Sequence, residues 1–482
     1  MINLNKANIG LIKNINTYPK YNIEKMQNTI LHFGVGNFHR AHQAFFVHEI
    51  INANKDLSII GINLRSKDTK EILEKQNYLY SLLECSKNRN KIHVINSIKK
   101  ILYGHEDKKE IRKLISNSFT RIITITITEK GYCYDNLNKC LNYNYEIQND
   151  FEDKNLFTLV GHLSYGLIER FNKNKEELYI ISCDNLSNNG KILKTVILDF
   201  INNVNKNAAS WVNQSVYFPS TMVDCIVPNS KKLANEIKLN YCDEALVICE
   251  SYRDWYIENK DDYLKTILSH KDIKFVENVS FYEQIKLKML NASHSAVAYI
   301  GLLLDYKYVH EVINNNICYK FINTYLEREV IPTILLEDQF DIQKYKKIIL
   351  SRFKNKFLNH KLEQIGADGS FKIPIRIIDT YVNRQVKFKY NFTFIIIASW
   401  IYFLSGKTIK GNNYSVIDPN KNELMKIISE NKNFIGEILK IKKIFDLSES
   451  DRIEMQKGVN YFYNKIEKVG LQKVLGEIVK KL

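Results

Sequence analysis

Proline is scarce, six in 482 residues, so element ends are sparsely punctuated. No internal repeat or low-complexity linker interrupts the chain, which argues against a repeat array or a flexible tether. The eight cysteines (Cys85, Cys133, Cys140, Cys183, Cys225, Cys242, Cys249 and Cys318) are scattered without a CxxC pair. In a chain of this length that excludes a disulfide scaffold and points to free thiols in a reducing compartment. The opening MINLNKANIGLIKNINTYPK has no continuous apolar run and does not read as a signal peptide. The most apolar stretch, Phe392 to Leu404, falls short of the about 18–20 residues that span a bilayer and reads as a buried core helix. The cytoplasm is the expected location, with no membrane partner. Acidic residues are outnumbered, 53 against 69 Lys and Arg, for a formal net charge of +16. The basic residues are nonetheless spread over the whole chain and interleaved with acids, as in Glu106-Asp107-Lys108-Lys109-Glu110. With no basic stripe and no aromatic stacking platform, a solvated surface is expected rather than a nucleic-acid site.

What is present is core-forming. Hydrophobic residues make up 45% and aromatics 12%, enough to bury a core and, at this length, to build two or more domains. The first part alternates strand and helix patterns. Thr29 to Phe33, Leu57 to Leu64, Ile92 to Asn96, Arg121 to Thr128 (RIITITIT) and Leu178 to Cys183 read as strands, and Ala41 to Ala53 as a helix. Strands separated by helices predict an α/β fold with a mostly parallel sheet. From about Phe281 helical patterns dominate, over 281–303, 308–328, 340–355, 391–405, 422–445 and 451–480. The expected domains are 1–281 and 282–482, the second mostly α-helical.

The first strand runs into His32-Phe33-Gly34-Val35-Gly36-Asn37-Phe38-His39-Arg40. A GxG pair at a strand-to-helix turn suits a dinucleotide: Gly34 permits the turn, and Gly36 lets the backbone of Gly36, Asn37 and Phe38 approach a pyrophosphate. His39 stands where the third glycine of that fingerprint would be. The second strand ends Asn63-Leu64-Arg65-Ser66-Lys67-Asp68. Asp68 suits the ribose hydroxyls of NAD, whereas Arg65 suits a 2′-phosphate, so NAD is favoured and NADP stays open.

HFGVGNFHRAHQAFF resembles the opening of the long-chain, polyol-specific dehydrogenases, the mannitol dehydrogenase family. Five later blocks resemble it in the same order: Thr126–Cys133 (TITEKGYC), Ser182–Gly190 (SCDNLSNNG), Phe218–Pro228 (FPSTMVDCIVP), Lys286–Ser295 (KLKMLNASHS) and Asp368–Arg376 (DGSFKIPIR). The resemblance implies a Rossmann-type N-terminal domain, a helical C-terminal domain and metal-independent oxidation of a secondary alcohol. Three departures occur: Ala292 replaces a glycine, Cys225 an arginine, and Cys249-Glu250-Ser251-Tyr252 a CEPF-type segment.

Such a reaction removes a hydroxyl proton and a hydride. At 100° per residue, Lys286 lies roughly 80° from His294 and roughly 140° from Asn291 around one helix, and periodicity does not choose between Lys286 and Lys288. The family pattern K-x-x-x-x-N-x-x-H picks Lys286. By resemblance, Lys286 is the general base, Asn291 and Asn185 donate to the developing alkoxide, His294 holds a neighbouring hydroxyl and Glu129 relays protons. An ordinary lysine, with a pKa of about 10.4, needs burial or a nearby cation to act as a base. His32, His39 and His42 lie close in sequence, but no Cys/His spacing matches a zinc site, and a lysine base makes a metal redundant.

Two substrate classes fit the resemblance. One is a sugar acid, D-mannonate or D-fructuronate, whose carboxylate needs a cation such as Lys372 or Arg376. The other is a polyol, D-mannitol or D-fructose. TEKGYC, TMVD with IVP and the 364–376 segment lean to the sugar acid, with Asp224 a further substrate contact. Leu64–Asp68 and Tyr308-Val309-His310-Glu311 also resemble the polyol enzymes. The expected partner is a small molecule, and the patterning fixes no oligomeric state.

Overall fold

Six short strands of the first unit pair in parallel: β1 (Thr29–Phe33), β2 (Ser58–Asn63), β3 (Ile98–Tyr103), β4 (Ile122–Ile125), β5 (Leu178–Ser182) and β6 (Val216–Tyr217). Their spatial order is 3-2-1-4-5-6, that of dinucleotide-binding folds. The computed structural model describes residues 2–86, 89–153, 155–229, 237, 239–335, 340–384 and 391–480, and it divides into two units, Met1–Tyr282 and Glu283–Leu482.

Successive side chains of a strand point to opposite faces. Ile30 and Ile122 therefore enter one core, with Phe46 and Trp255, while Leu31 and Ile123 enter the other, with Leu163 and Leu193. Burial on both faces is why RIITITIT carries β-branched residues without a polar side. The predicted strand at 92–96 exists as Lys91–Ile95, but outside the main sheet. It pairs antiparallel with Tyr80–Cys85, which pairs in turn with Val247–Glu250. The third place in the main sheet belongs to β3, whose Lys99 and Lys100 break up the apolar pattern. A further sheet joins Thr221–Asp224, Asp254–Glu258 and Ile273–Val276. The helix expected over Ala41–Ala53 is two helices, Asn37–Ala41 and Gln43–Asn52, broken at His42 with φ −119° and ψ −87°.

The second unit is helical. Ala292–Leu303 is buried along its whole length and packs on Leu362–Gly366 and Asn391–Phe403. The apolar stretch at 392 is a core helix, and the buried Glu329 carboxylate caps it. Glu329 accepts from the Phe392 and Thr393 N–H groups at 3.0 and 2.8 Å and from the Thr393 hydroxyl at 2.6 Å. Among the described residues no helix is long and apolar enough to cross a membrane. Three predicted long helices are interrupted. The 308–328 range divides into Val309–Asn314 and Asn316–Tyr325, the second capped by Asn315. The 422–445 range becomes Lys421–Glu430 and Phe434–Leu439, and 451–480 becomes Glu449–Val469 and Leu471–Lys480, separated by Gly470 at φ 81°. Periodicity reads through breaks of one to three residues because the apolar spacing resumes after them.

Candidate active site

β1 delivers the chain into the glycine turn at the carboxyl end of the sheet, beside β4, where the strand order reverses. Open parallel sheets hold ligands at this switch point. Gly34 has φ 95°, and a Cβ there would meet the Thr126 carbonyl oxygen at 2.1 Å, so no side chain fits. The turn is fixed by three bonds of 2.8 Å: Gly34 N–H to Ile62 O, Gly36 N–H to Gly34 O, and Val35 N–H to the Asn63 side-chain oxygen. Gly36 is exposed, and a Cβ on it would meet nothing nearer than 4.0 Å, so bare backbone faces a cleft of about 280 Å³. Gly34, Gly36, Arg65, Thr126, Thr128 and Gly131 line it.

The missing third glycine has a physical substitute. The buried His39 ring stacks on His32 of β1, with centroids 3.4 Å apart and planes at 11°, and two flat rings let helix and strand stay close. The ring nitrogens of His32 bond the Thr124 and Thr126 hydroxyls at 2.8 and 2.9 Å. Burial pushes His32 down to about 3. His39 lies well below the ordinary histidine value, through burial first and the neighbouring His32 second. Both rings are neutral near pH 7.

The other cofactor candidates separate. Arg65 lines the cleft, but Glu146 holds its guanidinium in a two-pronged pair at 2.5 and 2.7 Å. Asn37 and the exposed Asp68 line an adjoining pocket that shares Ser66 and Thr69 with the cleft. Phe38 lies flat on His42 at 5.1 Å and packs against the core.

Glu129 begins the turn Glu129–Tyr132 beyond β4 and is exposed. Thr128 before it has φ 72° and ψ 161°, a backbone region left almost entirely to glycine, at a cost on the order of 1–3 kcal/mol. Asp184 holds it there, accepting from the Ile127 and Thr128 N–H groups, both at 2.9 Å, and from the Tyr132 hydroxyl at 2.8 Å. Burial raises the Asp184 carboxyl above its ordinary value. Asn185 follows it, exposed. The buried Asn189 amide donates to the Asp184 and Thr221 carbonyls at 3.1 and 2.9 Å and accepts from Thr221 N–H at 2.9 Å. A Cβ on Gly190 would meet the Phe218 carbonyl oxygen at 2.4 Å. Three of the sequence blocks are thus one latched assembly. Asp224 ends this run, buried opposite Asp254.

In the second unit the expected angle between Lys286 and Asn291 fails for a specific reason: Lys286–Asn291 is a π-helix. Bonding from residue i to i+5 widens the turn and brings Asn291 to within about 50° of Lys286, and the three α-helical residues to His294 turn roughly 60° back toward Lys286. Ser293 sustains the widened turn, its hydroxyl donating back to the Met289 carbonyl and to the Leu290 carbonyl at 3.1 Å. Arg376 reaches the same place from a second π-helical turn, Pro374–Ile378, and donates to the Asn291 carbonyl at 3.2 Å and the Ser295 hydroxyl at 3.1 Å. Lys372 donates to the Ala367 and Ile365 carbonyls at 2.6 and 3.3 Å, just past helix Leu362–Gly366. His294 is buried, stacked on Phe353 at 4.2 Å and edge-on to His360 at 5.3 Å. Burial, then His360, Arg352, Arg376 and Lys372, hold His294 well below the ordinary histidine value, so it is neutral; burial also pushes His360 down to about 4, and the cations near His294 are Arg352, Arg376 and Lys372. Lys288 is buried and ion-paired with Asp379 at 3.1 Å.

Sequence reasoning missed Asp184, His360 and the Lys288–Asp379 pair. Only Asp184 had a signal, an acid beside a candidate asparagine at a strand end. Among the described residues no three His, Cys, Asp or Glu side chains are grouped to hold a metal ion.

Residues 28–267 match the family profile described as the mannitol dehydrogenase Rossmann domain, and 278–467 the mannitol dehydrogenase C-terminal domain. The chain is 31% identical to D-mannonate oxidoreductase of Escherichia coli over 420 residues, 85% of this chain and 86% of the relative. It is 30% identical to mannitol 2-dehydrogenase of Pyricularia oryzae over 453 residues, 90% of each. Among solved structures it resembles Pseudomonas fluorescens mannitol 2-dehydrogenase in a ternary complex with NAD and D-mannitol. That match has a TM-score of 0.85 and 28% identity and covers 100% of both chains.

Proposed function

The chain belongs to the mannitol dehydrogenase family of oxidoreductases, and on that premise we propose that it is an NAD-dependent enzyme interconverting D-mannonate and D-fructuronate. Residues 1–281 bind the dinucleotide and 282–482 carry substrate and base. Gly34, Gly36 and Arg65 face the cofactor, with Asn37, Phe38 and Asp68 around the same turn. Held there, NAD would supply the acceptor for the hydride that leaves the carbinol carbon. Lys286 takes the hydroxyl proton on its Nζ and returns it to the carbonyl oxygen in reduction. Asn291 and Asn185 donate to the oxygen as it gains charge. Neutral His294 bonds a neighbouring hydroxyl, and Glu129 passes the proton to water.

The observation that carries the sugar acid over a polyol is the cationic lining near His294: Arg376 bonds the Asn291 carbonyl and the Ser295 hydroxyl on either side of it, and Arg352 and Lys372 add to the positive field. A carboxylate gains from that field and a neutral polyol does not. With Asp224, Lys372 and Arg376 are the proposed substrate contacts. The polyol reading, D-mannitol and D-fructose, is favoured instead by the full-length likeness to the D-mannitol complex. NADH absorbance followed with D-fructuronate and D-fructose side by side, in the native chain and Lys286→Ala, separates the two. Turnover of fructuronate, absent with fructose and lost in the variant, supports the proposal. Turnover of fructose alone moves the assignment to the polyol. Turnover of neither, with NADH or NADPH, sinks both.

A further inference from the structure

We propose that Glu146, reaching over from the segment Tyr145–Asp150, is the residue that sets the preference for NAD over NADP. The proposal rests on the dinucleotide reading of the cleft. In this fold an acid at the end of the second strand meets the adenosine ribose, and an arginine there accommodates a 2′-phosphate. Here β2 ends in Asn63 and leads to Arg65 on the cleft wall, so the strand itself presents the phosphate-reading residue. Its fork is already filled. Glu146 Oε1 and Oε2 accept from Arg65 Nη1 and Nη2 at 2.5 and 2.7 Å, the paired geometry a phosphate would use. A 2′-phosphate would have to displace Glu146 from this end-on pair or take the remaining Nε–H side, and in either case the carboxylate would stand beside the phosphate dianion. Arg65 in turn holds the Glu146 carboxyl below the ordinary carboxylate range.

The next cation is treated likewise. Lys67 is ion-paired with Glu106 and lies 5.2 Å from the Tyr103 ring centroid. Each base that follows β2 toward the ribose position is thus matched by a carboxylate from elsewhere in the chain. Beside Asp68, a second acid is thus supplied through space, 81 residues downstream of Arg65.

The test needs no substrate. ADP and 2′,5′-ADP, the adenosine halves of the two cofactors, are titrated calorimetrically into the full-length chain, into Glu146→Gln and into Glu146→Ala, with NADH and NADPH alongside. The native chain is expected to bind ADP more tightly than 2′,5′-ADP. Both variants should bind 2′,5′-ADP about tenfold more tightly than the native chain does, with ADP changed by less than about twofold. A ratio that stays within about twofold of native in both variants, or a native chain that prefers 2′,5′-ADP, overturns the proposal. Binding of neither NADH nor NADPH overturns the dinucleotide reading itself. NADH binding with an unmoved ratio overturns this inference alone.

Discussion

Lys288 is buried and ion-paired with Asp379 at 3.1 Å, two residues beyond Lys286 on one π-helical turn. The pair commits one of two adjacent lysines to structure. Lys286 is half-buried on the face shared with Asn291, and it is the lysine to test as base. Lys286→Ala should lower kcat about 10³-fold with little change in melting temperature. Lys288→Ala should keep most of kcat but cost about 1–2 kcal/mol, a modest loss because Asp379 keeps contact with water. Initial rates and denaturant melts of both variants measure this, and the opposite pattern would transfer the role to Lys288.

The grip of Asp184 on Thr128 makes a coupled prediction. Asp184→Asn removes an acceptor for buried donors and should cost about 1–3 kcal/mol. Thr128→Gly relieves the backbone conformation that Asp184 enforces, so the double variant should lose less than the sum of the two single changes. Urea denaturation of all four chains measures the coupling, and strict additivity would mean that Asp184 does not hold the turn.

Glu329 makes stability depend on pH in the alkaline direction. Burial lifts its carboxyl to about 7 from an ordinary 4.5. A raised carboxylate value means the folded state keeps its proton longer than the unfolded one. Its contribution is therefore complete below 4.5 and is lost as pH rises through 7. Between pH 5 and 8 the native chain should lose roughly 3 kcal/mol relative to Glu329→Gln. Equal pH slopes in the two chains would remove Glu329 from the account.

The stacked pair His32 and His39 acts in the opposite direction. Both rings titrate below the ordinary value of 6.5, His32 at about 3. The unfolded chain therefore binds the extra protons, and stability is present above 6.5 and lost as pH falls toward 3. His39→Phe keeps a flat ring against His32 and should make the loss of stability with falling pH below 6.5 shallower than in the native chain. Denaturation at pH 7, 6, 5 and 4 is the measurement, and an unchanged slope would place the acid sensitivity elsewhere.

Most of the Rossmann-type unit was legible because two-sided burial writes itself into composition. Ile122–Ile125 within RIITITIT and Leu178–Ser182 are strands since both of their faces are covered, whereas Thr126–Thr128, read as part of the first of these, have left the sheet and Thr128 is exposed. β3 was not legible, because Lys99 and Lys100 lie within it and its pairing with β2 is a long-range event. The strand at 91–95 was visible, but its partner was not, since a period of two says nothing about which sheet a strand joins. On the helical side the breaks at Asn315 and Gly470 depend on one cap and one positive φ, which a window of apolar spacing averages away.

The sequence by itself determined the α/β then helical order and the glycine turn at Gly34, because these follow from local periodicity and backbone sterics; the proposed set Lys286, Asn291 and His294 came from the family resemblance. Tertiary structure decided what each of those residues is held by. It put Glu146 on Arg65, Asp379 on Lys288 and Asp184 under Thr128, contacts between segments 56 to 91 residues apart. It also widened the helix at Lys286–Asn291, reducing a separation of roughly 140° to about 50°. Charge pairing and helix register are settled by distance in space, and one-dimensional spacing carries no record of that distance.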